Sequence, residues 1–333
     1  MLPLLWRLGQ LGSVVGYARE LRRHRPLADA VLALSPWSAL AARLVARKNP
    51  IVYVVTDLLC ASQAFEEGRP FEFPNGSWRG MGLDAWLEQQ AYRTSGRSVL
   101  PAEWMRRGLI SGGVPEKRLV VIPAGASATP SNAHDRESAR QQLRLAADSF
   151  IVLFVGAATT RKNPAVLVEA LAHLPAHVHA AFAGDGPELD RLRQQAIRLG
   201  VAERAHFLGW LPDPAVAYAA ADVVCHPALY ESYGLVYIEA MLHRLPVLGP
   251  THRPTQVYGS APELIADGVD GLLFDACDAR DLARQLQSLA EDPARTKQMG
   301  ERGHQKASGF SWVGYAKSVE RLLHDLGARQ HHS

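Results

Sequence analysis

The chain has 333 residues, 47% hydrophobic and 21% charged, a globular composition that excludes a disordered or low-complexity protein. Its 36 Lys and Arg against 33 Asp and Glu leave a net charge of +3, too small for a dedicated nucleic-acid binder. A domain holds roughly 100–200 residues, so two are expected, each large enough for its own core.

The N-terminal 50 residues are the basic part of the chain, with Arg19, Arg22, Arg23 and Arg25 among them. The stretch from Met1 to Ala18 is apolar but broken by Arg7, Gln10 and glycines, so neither a membrane span nor a signal peptide is expected. Leu4, Leu5, Trp6 and Leu8 ahead of the arginines suit an amphipathic helix at a membrane surface, or more simply a core-packing helix with a solvated basic end. Cys60, Cys225 and Cys277 are too scattered for a zinc site or a disulfide framework, and a reduced, cytoplasmic setting follows. No metal site is expected.

Short apolar runs then alternate with helical periodicity. The first series of expected strands is Ala30–Leu34, Ile51–Val55, Ser98–Leu100 and Leu119–Ile122. The second is Phe150–Val155, His179–Ala183, Ala205–Leu208, Asp222–His226 and Pro246–Leu248, with helices at Asn163–His173, Pro187–Leu199 and Leu235–His243. Such alternation predicts an α/β protein with parallel sheets covered on both faces. Residues 57–82, carrying Phe65, Phe71, Phe73 and Trp78, read as a long irregular loop over a cleft. The Pro123–Asn132 stretch has linker composition. The expected domains are 1–128 and 129–309, with a last helix over 310–328.

The segment from His226 to Val247 is richest in chemistry. A strand ends near His226, a turn with Ser232 and Gly234 follows, and a helix begins. Ligands of open α/β sheets sit at the carboxyl ends of strands, and a helix start suits an anion such as phosphate. Glu231 in the turn and Glu239 in the helix would lie about 80° apart on a helical wheel and can border one pocket, where carboxylates suit sugar hydroxyls. Helix-start preference for an acid at Glu231 and a solvated Glu239 account for the same spacing. Tyr230, Tyr233 and Tyr237 read as packing side chains, and His226 as a structural strand-end histidine.

Ordered motifs carry a resemblance. Phe154-Val-Gly156 is followed by Arg161-Lys162-Asn163-Pro164, then Gly184-Asp-Gly186-Pro187-Glu188, then Phe207-Leu-Gly209-Trp210. Ala220-Ala-Asp222-Val223 leads to Glu231-x7-Glu239 and Leu245-Pro246-Val247. Pro262-Glu263 through Gly271 and Phe310-Ser-Trp312 complete the series. In this order they resemble the group 1 retaining nucleotide-sugar glycosyltransferases. That resemblance implies a GT-B-like fold, with two Rossmann-like doubly wound domains facing a cleft, the first truncated. It implies a hexosyltransferase whose co-substrate is a nucleotide-diphosphate sugar and which needs neither metal nor another cofactor. The implied roles are Lys162 on the diphosphate, with Arg161 beside it, and Gly156, Gly184 and Gly186 approaching the nucleotide. Glu239 would bind the ribose and Glu231 the transferred sugar, with the Tyr233, Gly234 and Leu235 N–H groups on sugar or phosphate oxygens. Lys162 as a surface lysine and the glycines as mere turn formers remain the plainer readings.

The pattern is broken in places. Ala157 stands where the family often has arginine, Thr56 where it often has histidine, and Ala124 where it has asparagine. The stretch from Pro246 to Pro262 is longer than usual by about six residues, judged by motif spacing. The family's opening strand and glycine-rich loop are missing, which at roughly 30 residues per βαβ unit is some 60 residues or more. The sequence is incomplete, or a partner chain completes the first domain, or the cleft works in reduced form. The expected activity is transfer of a hexose, with retention, to a glycan or lipid-linked acceptor, with the basic N-terminus compatible with contact at the inner membrane surface. The rival reading is a catalytically impaired or partner-dependent nucleotide-sugar-binding subunit. An epimerase or phosphorylase is a weaker third. No nucleic-acid partner is expected.

Overall fold

A computed structural model of the chain describes residues 18–19, 31–45, 51–66, 71, 73, 83–127 and 135–330. The described chain divides into two compact units. The first takes in residues 18–19, 31–45, 51–63, 73, 83–124 and 313–330, and the second 64–66, 71, 125–127 and 135–312.

The first unit is built on four parallel strands, β1 (Val31–Ala33), β2 (Ile51–Val54), β3 (Arg97–Leu100) and β4 (Leu119–Val121), side by side in chain order. The closing helix Trp312–Gln330 lays Val319 into a buried cluster with Val52, Val99 and Ile122, and Tyr315, Leu322 and Leu323 flank it. Part of the stretch expected to be an irregular loop is a helix, Leu59–Glu66. Its start is supported by a distant acid, because Glu88 Oε1 accepts the Leu59 N–H at 3.2 Å. A cap supplied from another helix leaves no local signature. Most of the rest of that stretch, and the helix expected at the N-terminus, fall outside the described residues.

The second unit follows β5 (Phe150–Val155), β6 (Val178–Ala183), β7 (Ala205–Gly209), β8 (Val223–Cys225), β10 (Val247–Pro250) and β12 (Gly271–Phe274) into a six-stranded parallel sheet in the order β12-β10-β8-β5-β6-β7. A two-residue ladder pairs β9 (Tyr230–Glu231) with β11 (Tyr258–Gly259). β9, β11 and β12 are additions to the expected strands. Two-residue pieces carry no periodicity, and β12 directly follows a glycine-containing turn.

β5 is apolar throughout because both faces of the sheet are covered. Val152 and Phe154 join Leu167 and Leu171 of the helix Pro164–Leu171 and Leu282 and Leu286 of the helix Ala279–Ala290 in one core. The helices begin where the sequence provides caps. Asp278 accepts from the Arg280 and Asp281 N–H groups, Asp292 from Arg295, and Asp135 from Ser138. Pro164 opens its helix, where a missing N–H costs nothing.

Asp222, just before β8, ties the helix Arg136–Gln142 to the sheet. Its carboxylate accepts from Arg140 at 2.8 Å, from Arg136 at 2.5 Å and from the Ile151 N–H at 2.7 Å. The chain lays down β5, β6 and β7 in one direction, then returns to place β8 on the other side of β5. That reversal between β5 and β8 opens a crevice beyond the strand ends, the place where open α/β sheets bind ligands.

Candidate functional site

Two loops meet at this reversal. β5 runs into Gly156 and β8 into His226, and a Cβ added to Gly156 would lie 3.9 Å from His226 Cε1. Beyond Gly156 the chain turns through Thr159 and Lys162 into Asn163, which takes a left-handed conformation (φ 52°) and anchors its amide on the Ala276 carbonyl at 3.0 Å. Asparagine tolerates that conformation better than most residues. The turn fixes the backbone that carries Lys162.

Lys162 Nζ donates to Glu231 Oε2, and the same oxygen is 2.8 Å from His226 Nε2. Lys162 Nζ and His226 Nε2 are 3.5 Å apart. All three side chains are largely buried. Burial would by itself raise the Glu231 pKa. The His226 hydrogen bond and the Lys162 charge reverse that and hold the carboxyl well below the usual carboxylate range. Burial, then the Lys162 charge, push the His226 pKa below the ordinary histidine value, so the ring is neutral at neutral pH. A carboxylate only accepts, so the neutral ring donates its Nε2–H to Glu231.

The other predicted residues take the following places. Arg161 stands with its guanidinium 5.8 Å from the Tyr230 ring centre. Gly184 and Gly186 lie against the loop after β5, where a Cβ would come within 2.0 Å of the Gly156 carbonyl oxygen and 2.5 Å of the Ala158 carbonyl oxygen. Tyr233 is buried, and its carbonyl accepts the Ser260 hydroxyl. Gly234, in the left-handed region (φ 80°), immediately precedes the helix Leu235–Leu242. Glu239 is not among the partners of Lys162, Glu231 and His226. Its Oε2 accepts the Tyr218 hydroxyl at 2.9 Å. Burial, reinforced by Glu239, pushes the Tyr218 hydroxyl well above its ordinary pKa, so it stays a donor. Its ring stacks on His243 at 4.8 Å.

A cavity of about 350 Å³ lies at the ends of β5, β6 and β7. It is lined by Val155, Gly156, Ala157, Ala183, Gly184, Asp185, Trp210, Leu211 and Pro214. Gly156 therefore faces both the cavity and His226. Trp210 is 72% exposed, a large apolar surface left open on the cavity wall. Tyr218 sits one turn after Pro214, so the helix that forms one wall also carries the partner of Glu239.

Sequence reasoning quoted Trp210 without a role, set His226 aside as structural and overlooked Tyr218. Between Pro246 and Pro262, Arg253 pairs with Asp275 at 2.9 Å, and Tyr258–Gly259 pairs in parallel with Tyr230–Glu231, so this stretch braces the backbone of Glu231. Phe65 stacks on Tyr230 at 5.3 Å, and Phe71 meets Tyr258 edge-on at 5.9 Å.

The profile of the family described as glycosyl transferases group 1 matches residues 135–306, and that of the glycosyl transferase 4-like domain matches residues 1–125. The chain belongs to the group 1 glycosyltransferase family. Among its relatives is the D-inositol 3-phosphate glycosyltransferase of Nocardia farcinica, 35% identical over 254 residues, which are 72% of this chain and 54% of that protein. The enzyme of the same name from Rhodococcus opacus is 31% identical over 316 residues, 90% of this chain and 68% of that protein. The chain spans about half the length of the first curated relatives that it matches.

Among solved structures, Anabaena HepE in complex with UDP and glucose is 26% identical and superposes with a TM-score of 0.78, over 96% of this chain and 83% of that one. HepE in complex with UDP-glucose gives the same score at 25% identity. The α/β architecture with two Rossmann-like units is thus that of the GT-B glycosyltransferases. Among the described residues, no helix of this family member is long and apolar enough to cross a membrane.

Proposed function

We propose that the chain binds a uridine-diphosphate hexose on its second unit and transfers the hexose, with retention at the anomeric carbon, to a hydroxyl of a glycan or lipid-linked acceptor. The observation that carries this reading is that a buried cation with a carboxylate held ionised beside it lies on one side of the Gly156 loop, and a cavity with an exposed indole wall on the other. The UDP and UDP-glucose of the HepE structures support uridine as the base.

In this reading the base stacks on Trp210, Glu239 accepts the ribose hydroxyls, and Lys162 meets the diphosphate. The bond from the anomeric carbon to the phosphate oxygen breaks as the acceptor oxygen bonds to that carbon. The acceptor's proton passes to the leaving diphosphate, whose growing charge Lys162 stabilises. Glu231 takes a hydroxyl of the transferred sugar.

The test is thermal unfolding of the full chain with UDP, GDP, ADP and their hexose derivatives. At a hundredfold excess over Kd a bound ligand adds about 2.7 kcal/mol. UDP and a UDP-hexose raise Tm, Glu239→Ala removes the response, and Trp210→Ala weakens it. Loss of base–aromatic stacking costs about 1–3 kcal/mol, roughly 5- to 150-fold in Kd. Absence of any response across the panel overturns the proposal.

Tyr218→Phe separates orientation from contact. It keeps the ring stacked on His243 and removes only the hydroxyl that holds Glu239. A hydrogen bond to a charged group is worth about 1.5–3 kcal/mol, so UDP binding weakens by roughly tenfold or more. Titration calorimetry with UDP and 2′-deoxy-UDP checks it, the variant losing discrimination between the two.

A further inference from the structure

Resting on the transferase reading above, we propose that His226 is a positioning residue that fixes Oε2 of Glu231 and so turns the other carboxylate oxygen toward the sugar. Oε2 receives both His226 and Lys162, and among the described residues no hydrogen bond reaches Oε1. The two oxygens of one acid therefore have separate duties.

The imidazole is itself locked. It lies parallel to Phe154 at 6.0 Å and edge-on to Tyr237 at 5.4 Å, and the Tyr237 hydroxyl binds the His226 carbonyl at 3.0 Å. The side chain is 2% exposed. Its Nδ1 is buried without a hydrogen-bond partner among the described residues. A buried acceptor left unmet is a cost that an apolar side chain in the same space would avoid. What the histidine supplies in return is the single donor aimed at Glu231. The charges that bear on the ring are Lys162 and Arg161, which disfavour its protonation, and Glu231, which favours it.

Lys162 alone could not keep Glu231 in place during the reaction. A diphosphate in the site competes for the same ammonium, and once Lys162 turns to phosphate the carboxylate would be free to rotate. His226 is neutral and buried, has no attraction for phosphate, and stays on Oε2. The strand end thus holds the acid steady while the lysine changes partner.

The experiment compares the wild-type chain with His226→Gln, whose amide can present a donor near the Nε2 position, and His226→Leu, which keeps bulk without a donor. Turnover of a UDP-hexose falls at least 50-fold in His226→Leu, while Kd for UDP, which has no sugar, changes less than threefold. His226→Gln recovers turnover to within about fivefold of wild type, an amide offering Glu231 the same kind of neutral N–H donor as the ring. The acid limb of the turnover profile moves up in the leucine variant only. Full activity in His226→Leu, or equal losses of UDP binding and turnover with no recovery by glutamine, overturns the proposal.

Nitrogen-15 spectra of the unliganded wild type test the contact independently of any activity. They show Nε2 protonated and Nδ1 bare at neutral pH. The opposite tautomer rejects the contact. A wild type that gives this spectrum yet ignores UDP and UDP-hexoses rejects the transferase reading, and with it the kinetic role.

Discussion

Lys162→Ala lowers turnover of a UDP-hexose by about 10²–10³-fold, the range expected for losing one preorganised charge at a developing anion. Lys162 stands on a turn fixed by Asn163, and its ammonium is held by Glu231 at the sheet's reversal. The variant also leaves Glu231 buried with one donor in place of two. Losing a hydrogen bond to a charged group costs about 1.5–3 kcal/mol, or a fall in Tm of about 5 °C.

The pH dependence follows in sign. Glu231 carries a folded pKa below its unfolded one, so its pairing stabilises the fold above the usual carboxylate range and is lost as pH falls. Without Lys162 that depression shrinks, and acid unfolding moves to higher pH. Steady-state kinetics, with melting curves across pH 3–8, measure both effects. An unchanged turnover removes Lys162 from the phosphate.

Gly184→Ala abolishes the response to UDP and destabilises the second unit by more than 3 kcal/mol, about 1–3 kcal/mol of it from backbone strain alone. Gly184 has φ 143°, and a Cβ there would lie 2.0 Å from the Gly156 carbonyl oxygen. The obstacle is backbone, which cannot swing aside as a side chain would. Gly184 also donates to the Gly209 carbonyl at 2.8 Å, so moving it disturbs the ends of β5, β6 and β7 together, and these form the cavity. Gly268→Ala is the comparison, with φ 74° and nothing within 4 Å of its Cβ. It pays only for the left-handed conformation, about 1–2 kcal/mol. Denaturant melts of both variants give the difference due to close contact. Equal losses would show that crowding at Gly184 is not decisive.

The sheets were legible because their strands are apolar runs bounded by turns. Phe150–Val155 is read from the sequence with the bounds that it has in the structure. The helix Leu59–Glu66 was not, because its start leans on Glu88 from another helix and a glycine and a proline follow it closely. At the site, motif order located Lys162, Glu231 and the glycines. It could not pair Glu239 with Tyr218, since Ala215–Ala220 reads as a plain apolar run and the contact forms only when that helix and Leu235–Leu242 are both in place. His226 was legible as a residue but not as a donor, because its role depends on a carboxylate that only the turn through β9 brings back to it. Nearest-neighbour patterns specify elements, and the second partner of each acid comes from tertiary contact.

The carboxylate of Asp222 sets a practical limit on dissecting the molecule. An excised second unit that starts at β5 would strip away Arg136 and Arg140 and leave a mostly buried acid answered only by the Ile151 amide. A fragment intended for nucleotide titration or crystallisation therefore has to begin ahead of Asp135, even though the six-stranded sheet itself starts further along.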